Sequence, residues 1–203
     1  MTFFTVRANS NEMGGAVSQQ VSSKLKKRSP KRGNVFPGSP IPIIVIHETP
    51  PCLCPQEIRL VKQSWTELQS DMVKVGVVMF TRLFETHPDV QDAFMDFRHM
   101  SLEDMRHSKT LREHGLRVMT TVEKVLARVD DPAKLDAFLH HLGTKHVNYN
   151  ANKNYIQLVG PQFVKSIKSE LEDVWTSETE RAWYKLFDYI AYFMKKGMES
   201  VVT

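Results

Sequence analysis

The 203-residue sequence predicts an all-α fold, and three observations support that prediction. From residue 55 onward, apolar residues recur at steps of three and four, which is the period of an amphipathic helix. Nothing in this part has the pattern of a strand and hairpin series. Capping residues and prolines divide the helical pattern into segments with short connections. We therefore predict six or seven helices over residues 55–203.

The first half of this helical part is divided by prolines and a serine cap. Pro55 suits the first turn of a helix, and a second helix is expected over about residues 71–86. Pro88 either ends that helix or opens a short tight turn. Ser101 is expected to cap a brief helical turn, followed by a longer helix over about residues 108–129.

The last two predicted helices each contain one informative local feature. A helix over about residues 154–172 contains Gly160 and Pro161, which should kink it or delay its start. Ser177 and Glu180 have the spacing of a capping box, so the last helix is expected to begin there and to end near residue 197.

Two histidines continue apolar stripes on separate helices. Asp131 followed by proline predicts a helix over about residues 132–147, and His146 extends its apolar face by one turn. His140 and His141 fall outside that stripe and are expected to face solvent. In the helix that precedes it, His114 projects from a similar stripe.

Such a histidine is usually a core residue with a satisfied hydrogen bond, and this interpretation stays open for His114 and for His146. Two of them on separate helices, with phenylalanines between, favour a second interpretation. Imidazole is a good iron ligand, and an apolar pocket flanked by phenylalanines suits a porphyrin.

The N-terminal arm carries the basic character of the chain. The net charge is +4, and residues 1–32 hold seven Lys or Arg against one acid. Proline is frequent from there to residue 55, and large apolar residues are too few to offset the entropy of ordering the segment. We predict that residues 1–54 are a mostly disordered arm and that residues 55–203 form the helical domain.

The sequence favours a cytoplasmic protein. The first residues lack the pattern of a secretory signal, and no apolar run approaches the length of a membrane span. Cys52 and Cys54 are the only cysteines, and their spacing suits neither a stabilising bridge nor a zinc framework. Each could instead be a lipid attachment point or a redox handle.

A membrane-binding role is one hypothesis for the arm. Gly14 follows Met13 in a myristoylation pattern, which would function only if translation began at Met13 or processing exposed the glycine. A cluster of basic residues behind it could supply the second membrane signal; its members are Lys24, Lys26, Lys27, Arg28, Lys31 and Arg32. A chance match followed by a solvated basic tail is the alternative. Nucleic-acid binding is a weaker alternative, since no aromatic residues lie between the basic ones.

Several motifs of the helical domain occur in a characteristic order. They are Gln63-Ser64-Trp65, Phe80-Thr-Arg-Leu-Phe84 leading to His87-Pro88, Phe94, Leu111-Arg-Glu-His114-Gly-Leu-Arg-Val-Met119, Leu142-Gly-Thr-Lys-His146 and Glu180-Arg-Ala-Trp183. Together they resemble animal globins over about residues 56–199, and most closely the neuroglobin, cytoglobin and globin X group. The resemblance implies the globin fold, a three-over-three helical sandwich.

The resemblance also implies a haem b cofactor, with His146 as the proximal and His114 as the distal histidine. It implies haem contacts for Phe80, Phe94, Arg117, Val118 and Leu142. Arg117 would reach a propionate, whereas Phe80, Val118 and Leu142 would be core residues in any helical domain as well. Gly160-Pro161 departs from the family pattern, as does the absence of cysteines from the helical domain.

The function implied by the resemblance is binding of O2, NO and CO at a histidine-ligated iron. In this group the distal histidine often binds the iron too, which favours a redox, NO-related or sensing role over oxygen storage or transport. An NO dioxygenase or nitrite reductase activity is an alternative, and it needs an unidentified electron donor because the chain carries no flavin or nicotinamide motif. A haem-free interaction module with this fold is the third hypothesis.

Overall fold

A computed structural model describes residues 49–68, 71–149 and 151–201 of the chain. The predicted disordered arm lies almost entirely outside these residues, as do Gly14 and the basic cluster behind it. The boundary drawn at residue 55 therefore stays a prediction. In the described part, the first helix begins at Pro55.

The described residues form eight α-helices and one short 3-10 helix. In chain order they are α1 (Pro55–Leu68), α2 (Met72–Thr86), α3 (Pro88–Ala93), α4 (Leu102–His107), α5 (Lys109–Leu126), α6 (Pro132–Val147), α7 (Lys153–Glu170), the 3-10 helix Glu172–Val174, and α8 (Ser177–Glu199). The predicted number, six or seven, was too low. Pro88 occupies the first turn of a helix of its own, where its missing N–H costs no hydrogen bond.

The capping signal at the start of α8 was interpreted wrongly. The residue that caps α8 is Thr176, whose hydroxyl accepts a hydrogen bond from the Thr179 N–H at 3.1 Å. Ser177 is already inside the helix, and the Glu180 carboxylate accepts hydrogen bonds from Lys168 and Trp175 instead of completing a capping box. Adjacent threonine and serine are both good caps, so local sequence could not choose between them.

The helix that contains Gly160 and Pro161 does not start late. The Asn152 side chain accepts a hydrogen bond from the Asn154 N–H, and α7 runs from Lys153 to Glu170 with the proline inside it. A Cβ at Gly160 would lie 2.8 Å from the Cβ of Phe187 on α8. The glycine thus lets the two helices approach at this point.

The helices pack in two layers around one apolar core, as the predicted three-over-three sandwich requires. The α2, α7 and α8 helices pack against one another in that order, and the other long helices lie on them, with α5 on α2 and both α1 and α6 on α8. Trp183 of α8 is fully buried, and its indole N–H donates to the buried Ser64 hydroxyl of α1 at 2.9 Å. Among the described helices, none is long and apolar enough to cross a bilayer.

The backbones of α6 and α8 approach each other closely at two glycines. A Cβ at Gly143 of α6 would lie 2.0 Å from the carbonyl oxygen of Met194, and one at Gly197 of α8 would lie 2.0 Å from that of His140. Both distances are far inside van der Waals contact, so each position requires glycine for the backbones to meet as they do. This crossing fixes the position of α6, the helix that carries His146.

Candidate functional site

His146 lies in the last turn of α6 with one ring nitrogen committed to the backbone. Its Nδ1 is 2.8 Å from the carbonyl oxygen of Leu142, one turn earlier. A carbonyl oxygen only accepts, so Nδ1 carries the proton and donates it. Burial lowers the pKa of His146, and this hydrogen bond acts in the opposite direction without outweighing it. The imidazole is therefore neutral at pH 7, and its Nε2 keeps a lone pair that can bind a metal.

Tyr149 contacts the same imidazole. Its ring is edge-on to that of His146, with centroids 6.4 Å apart. The sequence analysis did not single out Tyr149. It follows His146 by three residues, a spacing that puts two side chains on the same side of a helix. Tyr149 lies beyond the end of α6 at Val147, which is why helical phase gave no signal for it.

His114, in the second turn of α5, packs against two phenylalanines. The centroid of its ring is 4.7 Å from that of Phe80 and 5.6 Å from that of Phe94. Burial, together with the smaller effects of the nearby charges of Arg117 and of His146, lowers the pKa of His114 to about 3. The two imidazoles are thus close enough for the charge on one to affect the other, and both are neutral at pH 7.

A second close helix crossing brings Phe80 to His114. A Cβ at Gly76 of α2 would lie 2.8 Å from the backbone of Gly115, the residue after His114. Because α2 and α5 meet at these two positions, the side chain one turn beyond Gly76 on α2 contacts α5. That side chain is Phe80, which is 2% exposed.

Phe94 connects His114 to a larger aromatic cluster. Its ring centroid is 5.5 Å from that of Phe84 and 6.0 Å from that of Phe97, with the Phe97 ring nearly parallel to it. The sequence interpretation did not assign Phe84 or Phe97 to the site. Phe84 is one turn beyond Phe80 on the same face of α2, a signal that could have found it. Phe97 lies outside any helix, where helical phase cannot be used.

The remaining predicted site residues are less tightly placed. Leu142 contributes the carbonyl that holds His146, and its side chain is half-buried against the core. Val118, one turn beyond His114, is half-buried as well, and Arg117 is exposed. Of the two histidines expected to face solvent, His141 does so, whereas His140 is half-buried. That second expectation was wrong because α8 approaches α6 at His140.

The donor set limits which metal centre these residues could hold. In the described part of the chain, no group of three or more His, Cys, Asp or Glu side chains is arranged to bind a metal ion. Two neutral imidazoles from two helices are too few ligands for a bare ion, which takes four or more. They fit an iron that brings its equatorial ligands with it in a flat apolar ring. The phenylalanines around His114 suit such a ring.

Comparison with known proteins gives the family. The family model named Globin matches residues 77–194, which is more than half of the chain. The chain belongs to the globin family. This globin is 30% identical to neuroglobin of Dissostichus mawsoni over 146 residues, which cover 71% of this chain and 92% of that one. It is 28% identical to cytoglobin-2 of Danio rerio over 141 residues, or 68% and 79% of the two chains.

A solved structure shares the fold of this globin. It is the crystal structure of a hexacoordinated heme protein from an anhydrobiotic tardigrade at pH 4, with a TM-score of 0.68 over 72% of this chain and 96% of that one. The two sequences are 20% identical, so the likeness concerns the fold alone. The all-α globin fold and the resemblance to the neuroglobin and cytoglobin group are thereby confirmed.

Proposed function

We propose that this globin binds haem b through His146 and binds small gases at the iron, with His114 as a second, displaceable ligand. The globin family and the haem-protein neighbour support a haem cofactor and gaseous ligands. The observation that carries the proposal is the hydrogen bond from His146 Nδ1 to the Leu142 carbonyl at 2.8 Å. It fixes the tautomer that leaves Nε2 as a ligand and orients the ring along the helix end.

Haem, when bound, supplies an iron that binds O2, NO or CO reversibly and exchanges one electron. The chain's residues supply access and polarity. His114 is neutral, so its imidazole would be able to bind the iron as a second ligand or to donate a hydrogen bond to a bound gas. If it binds the iron, the apparent affinity for an external ligand falls in proportion to the open fraction. Phe80 and Phe94 beside it are apolar and offer no second donor.

The cysteines support the non-covalent b type. A covalently attached c-type haem requires the pattern Cys-x-x-Cys-His. Cys52 and Cys54 have a single residue between them, are followed by Pro55, and lie exposed before α1. The pattern is therefore not met.

The same arrangement supports a redox, NO-related or sensing role for this globin. With His114 as a second ligand, an external gas would have to compete with it for the iron, which suits electron exchange or signalling better than bulk oxygen storage. The relatives named neuroglobin and cytoglobin favour this role. An electron donor must come from outside the chain, since the sequence carries no flavin or nicotinamide motif.

Absorption spectra of the haem-loaded full chain test the proposal. We expect sharp, split bands in the dithionite-reduced wild type, a single broad band in His114→Leu, and loss of haem binding or of the native spectrum in His146→Ala. His141→Ala is the matched control, because His141 is an exposed histidine on the same helix.

Each part of the proposal has an outcome that contradicts it. A wild type that takes up no haem would favour the haem-free interaction module. A His146→Ala spectrum identical to that of His141→Ala would remove His146 as the ligand. A broad reduced band in the wild type would show an open site and favour oxygen binding with His114 as a hydrogen-bond donor.

We also propose a cytoplasmic location, with the arm bound to the membrane surface when Gly14 is acylated. The myristoylation pattern and the six basic residues behind it support this. The test is expression in cells of a chain that begins at Met13, followed by separation of membrane and soluble fractions. We expect the chain in the membrane fraction and its Gly14→Ala variant in the soluble one, with Gly15→Ala as control. A chain that stays soluble in all three forms would contradict the proposal.

A further inference from the structure

Two side chains tie the segment between α3 and α4 back to α3. One is Arg98, whose Nε and Nη2 donate to the Asp92 carbonyl at 2.9 and 2.7 Å. The other is Gln91, which spans the segment. Gln91 of α3 is half-buried, and its amide nitrogen lies 2.9 Å from the carbonyl oxygen of Phe97 and 2.9 Å from that of Met100. A primary amide has two N–H groups, and each is directed at one of these carbonyls. The side chain thus closes residues 94–101 onto the end of α3.

Of the two orientations of the Gln91 amide, only this one directs donors at both carbonyls. If the Gln91 amide were reversed, its oxygen would face two other oxygens, and neither of them could donate a hydrogen bond. The two carbonyls flank Arg98 and His99, and His99 has a φ of 68°, in the left-handed region that non-glycine residues rarely adopt. The backbone between the two hydrogen bonds is therefore held in a conformation that it would not favour by itself.

The segment that Gln91 holds carries the aromatic wall beside His114. Phe94 begins it and lies edge-on to the His114 ring at 5.6 Å. Phe97, whose carbonyl accepts one of the two hydrogen bonds, is fully buried and stacks on Phe94 at 6.0 Å. A change in the segment moves these rings, and with them one side of the space in which His114 can turn.

We propose that Gln91 is a positioning residue for His114. By closing the segment, it holds Phe94 against the imidazole and limits how fast His114 leaves the iron, and so how fast an external gas can bind. The role is exerted through Phe97 and Phe94 and involves no contact between Gln91 and the cofactor. The inference rests on the proposed function, because it presupposes haem between His114 and His146.

Gln91→Glu is the sharpest variant. It keeps the shape of the side chain, removes both donors and sets a carboxylate against two carbonyl oxygens. Gln91→Met, which has similar length and no donor, repeats the test without the charge. Gln162→Glu is the matched control, because the buried Gln162 amide donates to the Thr86 hydroxyl at 3.1 Å, outside the segment. It reports what a comparable loss of a buried amide does to the fold as a whole.

The first measurement mixes CO with the reduced, haem-loaded full chain at increasing concentration. When His114 must leave first, the observed rate reaches a plateau equal to its rate of departure. We expect the plateau to rise at least about fivefold in both Gln91 variants, the factor that corresponds to one hydrogen bond of ordinary strength. Gln162→Glu should stay within about twofold of the wild type. Equal plateaus in the wild type and the Gln91 variants, or an equal rise in the control, would overturn the proposal.

The second measurement needs no haem. In the haem-free full chain, the Arg98 and Met100 N–H groups donate to Phe94 and Phe97 carbonyls at 3.0 and 3.1 Å. We expect their hydrogen-exchange protection to fall at least about fivefold in the Gln91 variants and to hold in Gln162→Glu. Unchanged protection would show that Gln91 does not hold the segment. If the wild type binds no haem, the proposed function fails by itself, and the exchange result still decides whether Gln91 holds the segment.

Discussion

The two histidines are held in different ways. On the His146 side, the imidazole is tied to the backbone of its own helix, and that helix meets α8 at two glycines without room for a Cβ. On the His114 side, the imidazole packs against phenylalanine rings, one of which lies on a segment tied to α3 by the side chains of Gln91 and Arg98. Backbone contact and a fixed tautomer leave His146 little freedom. We expect the ring contacts of His114, at 4.7 and 5.6 Å between centroids, to restrain its imidazole less than the backbone hydrogen bond restrains that of His146.

This difference corresponds to what a displaceable-ligand site requires. In such a site, one ligand must stay on the metal while the other leaves and returns. A rigid setting suits the first ligand, and adjustable packing suits the second. The stability of the fold should therefore be most sensitive to changes on the His146 side. Changes on the His114 side should affect rates more than stability.

Gly143→Ala is expected to have the largest effect on stability. The added methyl would lie 2.0 Å from the Met194 carbonyl oxygen, so α6 and α8 must separate. Overpacking of this kind costs up to about 3 kcal/mol, and the better helix propensity of alanine returns about 1 kcal/mol. We expect a net loss of about 2 kcal/mol in urea unfolding of the haem-free chain.

Thr144→Ala is the control for that experiment, because it alters the next residue on α6, whose hydroxyl bonds only to the His141 carbonyl. It should change the unfolding free energy by less than about 0.5 kcal/mol. A Gly143→Ala chain as stable as this control would mean that α6 and α8 can separate at little cost, and the contrast between the two sides would be lost.

The sequence could not reveal this crossing, whereas it did predict α6. The bounds of α6 follow from local signals, an aspartate cap and a proline in the first turn, and they were predicted at residues 132 and 147. Gly143 and Gly197 are 54 residues apart, so nothing in either neighbourhood shows that they meet. The same limit explains His140, whose phase on the helix indicated solvent and whose burial comes from α8.

For the site, helical phase identified the inward-facing side chains but not their contacts. It placed His114 on the apolar face of α5, because a stripe of leucine and valine continues through it. The ring contacts with Phe80 and Phe94 depend on the crossing of α2 with α5 and on the segment after α3. The cofactor-binding assignment of Phe80, Phe94, Arg117, Val118 and Leu142 stays a prediction from the resemblance.

Phe94→Leu tests the His114 side directly. Leucine keeps much of the apolar volume but loses the edge-on contacts with His114 and Phe84. Aromatic pairs contribute about 0.5 to 1.5 kcal/mol beyond their buried area, so we expect a loss of about 1.5 kcal/mol in urea unfolding of the haem-free chain. Met95→Leu, at an exposed neighbour, should be neutral. A loss above that of Gly143→Ala would reverse the contrast between the two sides.

Thr176→Ala tests the start of α8, the helix that fixes α6. Removal of an N-cap hydroxyl costs about 1 kcal/mol, and the Thr176 hydroxyl accepts from the Thr179 N–H. Ser177→Ala should change the unfolding free energy by less than about 0.5 kcal/mol, since Ser177 lies inside the helix. A larger loss of unfolding free energy in Ser177→Ala than in Thr176→Ala would instead support the capping box that the sequence predicted at Ser177.

His99→Gly is expected to have the smallest effect. Glycine adopts a φ of 68° without strain, which favours the variant. Glycine also gains conformational freedom in the unfolded chain, which disfavours it by a similar amount, so we expect a change within about 0.5 kcal/mol in thermal unfolding. His99→Val, which tolerates this φ poorly, should lose about 1 to 2 kcal/mol. If the glycine variant also left the CO plateau rate unchanged, the His99 side chain would have no part in holding the segment. A higher plateau rate of CO binding would mean that the His99 side chain itself restrains the segment. The positioning role would then be shared between His99 and Gln91.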